Sequence, residues 1–101
     1  GSIDPSVLSS VANFEINDLI SQLKDKDYNA VRKWVAMNSD MDPATLFRKL
    51  YDMSSDILKP QSIPQLVIYL NNYQFKAAFV ADQEINLMSF LTDVMADLEF
   101  K

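Results

Sequence analysis

The chain has 101 residues, 49% of them hydrophobic, with one glycine and four prolines. That is one domain with enough apolar content for a single core, which excludes a disordered chain and argues against a turn-rich sheet protein. There is no cysteine and no histidine, and the net charge is −5. Disulfide frameworks, thiolate metal sites and histidine-based catalysis are therefore excluded, and a generic phosphate-binding surface is disfavoured.

Gly1-Ser2 stands where an initiator methionine is usual, so Ile3 is expected to be a chosen boundary within a longer natural chain. Behind Asp4-Pro5, the residues Ile3, Val7, Leu8 and Val11 recur at helical spacing and predict a short helix or connector over 1–13. The helical domain proper is expected over 14–101.

Its first helix is predicted over 14–24, capped by Asn13, with Ile16, Leu19, Ile20 and Leu23 on one face. The polar break Lys24-Asp25-Lys26-Asp27 ends it. A second helix, capped by Asp27, runs over 28–38 with Tyr28, Val31, Trp34 and Val35 inward. The loop 38–43 ends in Asp42-Pro43, a cap followed by a first-turn proline. The third helix then extends to about residue 58, with Leu46, Phe47, Leu50, Met53, Ile57 and Leu58 inward. Lys59-Pro60 stops it.

Ser62 and Gln65 have capping-box spacing at the start of a fourth helix, whose inner residues are Ile63, Leu66, Val67 and Leu70. The stretch 75–81 is apolar and reads equally as helix or turn. Asp82 caps the last helix, which runs to about residue 99 with Leu87, Met88, Leu91, Val94, Met95 and Leu98 inward. Asp82, Asn86, Ser89, Asp93 and Asp97 fall on the opposite arc. The expected fold class is all-α, a compact bundle of about five helices.

The residues that could carry chemistry are sparse. Asp25 with Asp27, Asp40 with Asp42, and Asp93 with Asp97 are paired carboxylates, but each pair sits at a loop, a cap or a polar face. Asp40-Met41-Asp42 lacks the glycine turn and closing glutamate of a calcium loop. One glycine cannot build a phosphate loop, and the serines have no histidine to activate them. Lys24, Lys26, Arg32, Lys33, Arg48 and Lys49 are interleaved with acids and read as a mixed solvated surface. No catalytic, cofactor-binding or metal-binding residue is expected in this domain. No apolar run approaches the length of a membrane span, so no membrane partner is expected.

Particular strings add to this. Asp18-Leu19-Ile20-Ser21-Gln22-Leu23-Lys24 is followed by Asp27-Tyr28-Asn29-Ala30-Val31-Arg32. Lys59-Pro60-Gln61-Ser62-Ile63 then joins two helices, Ala81-Asp82-Gln83-Glu84-Ile85-Asn86-Leu87 opens the last, and Leu98-Glu99-Phe100-Lys101 closes the chain. In this order and spacing they resemble the C-terminal collar domain of clamp-loader ATPase subunits of the replication factor C type. The likeness to the clamp-loader subunit of large tailed phages is strongest over 60–101. Residues 38–42 and 75–80 match no pattern of the family.

The resemblance implies a non-catalytic oligomerisation domain that packs with sibling clamp-loader subunits into a ring. An AAA+ ATPase module, absent here along with all its motifs, would bind ATP and magnesium. It would also engage the sliding clamp and primer–template DNA. Residues 1–13 would end the connection from the lid module. The domain itself is then expected to bind duplex DNA weakly and to be monomeric or only weakly self-associated. Its place would be the cytoplasm, that of the bacterial host if the source is a phage. The alternative is a free-standing helical adaptor or scaffold protein. A natural reading frame with a phosphate loop upstream of Ile3 separates the two.

Ile85, Phe90 and Phe100 are the candidate subunit-interface residues. At about 100° per residue, Ile85 and Phe100 project into the polar arc of the last helix, and Phe90 lies at its edge beside Asp97. Apolar side chains on a polar face suggest a partner. Phe90→Ala and Phe100→Ala are accordingly expected to leave the isolated domain folded.

Overall fold

The computed structural model describes residues 16–101. The expectations for residues 1–15, including the connector and the Asn13 cap, lie outside the described residues. The bundle consists of α1 (Ile16–Lys24), α2 (Tyr28–Met37), α3 (Pro43–Ile57), α4 (Ile63–Ala77) and α5 (Gln83–Asp97), with a 3-10 turn at Pro60–Ser62 before α4. No strand occurs among the described residues. Among the described residues the fold is an all-α bundle of five helices, as the periodicity indicates.

Three helix starts follow from side-chain caps. The Asp27 carboxylate accepts the Ala30 amide at 3.1 Å, Asp42 accepts Ala44 at 3.1 Å, and Asp82 accepts Ile85 at 3.1 Å. Each satisfies an amide that the first helical turn leaves without a partner. Ser62 departs from its expected role. Its side chain makes no cap bond to α4, because Pro60–Ser62 already winds into the helix. Its hydroxyl instead accepts the Glu99 amide at 2.9 Å. Residues 75–81 divide between the two expected states: α4 continues through Ala77, and the chain turns over the next residues.

The α1–α2 junction closes on itself without glycine. The Asp27 amide donates to the Gln22 carbonyl and the Lys26 amide to the Leu23 carbonyl. This Schellman arrangement needs a left-handed residue, and Lys26 supplies it with φ of 58°.

α5 is the central element and packs against α4, α2 and α1. Leu87, Phe90, Leu91 and Val94 are buried along it, where they meet Leu19, Leu23, Val31, Leu46, Phe47 and Leu66 in a single cluster. Met41 plugs the loop before α3 into the same core. Two expected inner residues fall outside it: Tyr28 and Val67 are exposed. Tyr28 is the first residue of α2, ahead of its buried residues Val31, Trp34 and Val35. Val67 is well off the arc of Leu66, Leu70 and Tyr73, the buried residues of α4.

The last residues are fastened to the joint between α3 and α4. Leu58 and Phe100 form an isolated antiparallel bridge. The Lys59 amide donates to the Glu99 carbonyl, and the Lys101 amide to the Ile57 carbonyl, both at 2.9 Å. Gln61 Nε2 donates to the Glu99 carboxylate at 2.7 Å, and Lys101 Nζ to the Ser55 carbonyl at 2.8 Å.

Candidate protein-binding surface

The three candidate interface residues occupy three different environments. Ile85 is 65% exposed, in the first turn of α5. Phe90 is wholly buried and is a correction. Its ring stands edge-on to Phe47 at 5.1 Å and to Tyr73 at 5.6 Å between centroids. The reason is the central position of α5. A helix covered by neighbours on several sides buries much more of its circumference than a surface helix with one apolar stripe. The residue at the supposed edge therefore meets α3 and α4. Asn86 moves inward for the same reason: it is buried, and its Nδ2 donates to the Tyr73 carbonyl at 3.3 Å. Phe100 is also corrected. It is half-buried against the core, in the tail paired with Leu58 and beyond the end of α5.

Ile85 borders a cleft of about 610 Å³ between α2 and α5. Its apolar lining comes from Tyr28, Tyr73, Ile85 and Met88, and its polar lining from Arg32, Glu84, Ser89, Thr92 and Asp93. Tyr28, misplaced as a core residue, thus joins Ile85 on an accessible concave face. Ile85 also lines a smaller hollow with Lys76, Val80 and Asp82.

Tyr73 links this cleft to the interior. Its hydroxyl donates to the Asp93 carboxylate at 2.5 Å, and Lys76 Nζ lies 4.8 Å from its ring centre. One turn earlier the Tyr69 hydroxyl donates to Asp97. The two tyrosines and two aspartates form matched pairs across the antiparallel α4–α5 contact. The bond to Asp97, with some burial, pushes the Tyr69 hydroxyl up to about 12. Burial, then the bond to Asp93, pushes Tyr73 up to about 12. In both cases the neutral phenol is the form that the neighbouring carboxylate holds.

Asp93 and Asp97 are therefore structural acceptors. Asp27, Asp42 and Asp82 are helix caps. Among the described residues, no group of three or more carboxylates is placed to hold a metal ion. No described helix is long and apolar enough to cross a membrane. The arrangement offers shape and apolar contact, flanked by charges of both signs. Composition could not have located the cleft, since Tyr28 and Ile85 are far apart in sequence and each falls on a helix whose inner face was the stronger signal. No protein-family model matches the chain, and comparison with curated proteins finds no significant match.

Proposed function

We propose that this chain is the collar domain of a sliding-clamp loader subunit, a non-catalytic element that packs beside sibling subunits in a ring. The observation that carries the reading is the cleft between α2 and α5, where Ile85 and Tyr28 stand exposed beside Met88 on a rigid helical frame. A concave surface that sets exposed apolar side chains among charges of both signs is suited to a protein neighbour. The order of sequence strings resembling a collar supplies the identity of that neighbour. ATP, magnesium, the sliding clamp and primer–template DNA belong, in this reading, to modules of the parent subunit outside these residues. The chain's own charge of −5 disfavours direct phosphate binding.

The test uses the full-length subunit encoded by the natural reading frame. Ile85→Asp is expected to lower ring assembly by about tenfold or more in native mass spectrometry, since it buries a charge at the contact. The helical circular dichroism of the domain is expected to be unchanged, because Ile85 is exposed. A reading frame with no ATPase module, or a ring indifferent to Ile85→Asp and Tyr28→Asp alike, overturns the proposal. The free-standing adaptor then takes its place.

A further inference from the structure

We infer that the outer face of α4 is a two-fold contact for a second copy of this chain. From Pro60 to Phe75 there is no charged residue, in a chain that is 23% charged overall. α4 nevertheless presents apolar side chains to solvent: Ile68 is 53% exposed and Phe75 68%, and Phe79, just past the helix, is 74%. Pro64, Ile68, Asn71 and Phe75 follow one another at spacings of three and four, so they share a stripe. Phe79 continues it, with its ring 5.1 Å from that of Phe75. Lys76 leans away over the Tyr73 ring, on the flank facing α5.

Two features of this stripe select its occupant. The first is charge. α1, α2, α3 and α5 all expose acidic or basic residues, among them Asp18, Arg32, Asp52 and Glu84. Two copies meeting across those faces must take charged side chains out of water, whereas two α4 stripes meet without any. The second is register. About the point midway between Asn71 and Asn72, Ile68 and Phe75 are equidistant, and so are Pro64 and Phe79. Antiparallel packing about that point sets each Ile68 against Phe75 of the second copy and each Pro64 against Phe79. The asparagine amides then pair at the centre. This is the self-complementary pattern an isologous contact demands, and central asparagines fix such a register.

Size sets the strength. Taking about 200 Å² for a whole aromatic side chain, the stripe offers roughly 500 Å² per copy, short of the roughly 800 Å² of a standard stable interface. The association is therefore reversible and concentration-dependent. It uses a different face from the Ile85 cleft and does not rest on the collar reading.

The experiment is sedimentation equilibrium of the 101-residue chain up to about millimolar, with site-directed crosslinking. Because the chain has no cysteine, single cysteines report cleanly. The expected result is a monomer–dimer equilibrium, weakened about tenfold or more by Ile68→Glu and by Phe75→Glu, each checked for helical content. With a short bismaleimide, Asn72→Cys crosslinks to itself. Ile68→Cys and Phe75→Cys in mixture crosslink to each other in preference to themselves, and Ser55→Cys on α3 does not crosslink. A monomer throughout the range overturns the inference. So does a dimer unaffected by either glutamate, or self-crosslinking of Ile68→Cys in preference to the mixed product.

Discussion

Lys26 and Phe90 show how much a single position can decide. Lys26 holds φ of 58° to close the α1–α2 turn, a conformation that costs a non-glycine residue about 1–2 kcal/mol. Lys26→Gly removes that steric cost but adds backbone freedom to the unfolded chain. The net expectation is a gain of about 0.5–1 kcal/mol, read as a higher urea midpoint at unchanged slope. Phe90 lies at the opposite extreme, buried between Phe47 and Tyr73. Phe90→Ala should cost about 3–5 kcal/mol, a large share of the roughly 5–15 kcal/mol that holds a small domain together. A thermal midpoint close to the parent's would show that the ring is not part of the core. The polar-arc reading of α5 pointed the other way because arc position alone does not report how many neighbours a helix has. Ile85 reads as lying in the polar arc and Phe90 as lying at its edge, and only packing shows that the first is exposed and the second buried.

At the scale of elements, the caps were readable because their chemistry is local. Asp27, Asp42 and Asp82 each act on an amide two or three residues ahead, within the window a sequence displays. Ser62 had the same local signature, yet its hydroxyl serves Glu99, and no short window shows a partner that distant. The Tyr69–Asp97 and Tyr73–Asp93 pairs were invisible for the same reason: they depend on the relative height of α4 and α5. Those pairs give the domain a defined alkaline limit. Both tyrosines have folded pKa values raised to about 12 from the ordinary 10, so the folded state holds their protons more tightly. Their contribution is complete below about pH 10 and is lost as pH rises from there toward 12. Urea midpoints measured on either side of this window should fall more steeply for the parent than for Tyr69→Phe/Tyr73→Phe. Equal slopes would mean that the carboxylates do not hold the phenols in the folded state.

For the molecule as a whole, the fold class followed from periodic apolar residues, few glycines and well-marked helix starts. The candidate surface did not, because it is made where α2 meets α5 and where the outside of α4 is left uncovered. The fastening of residues 98–101 to the α3–α4 joint has a consequence for time as well as for structure. Its bonds join positions as far apart as Gln61 and Glu99, and the Lys101 ammonium reaches back to Ser55. Closing so long a loop costs chain entropy before any return, so helices built from near neighbours form first and this fastening last. Contacts absent from the folding barrier act mainly on the rate of opening. Ser62→Ala, which deprives the Glu99 amide of its acceptor, should therefore speed unfolding several-fold in stopped-flow denaturant jumps while leaving the refolding rate nearly unchanged. An equal change in both limbs would place the fastening inside the folding nucleus. In the expected case the tail works as a brake, setting how long each molecule stays folded rather than how quickly it folds.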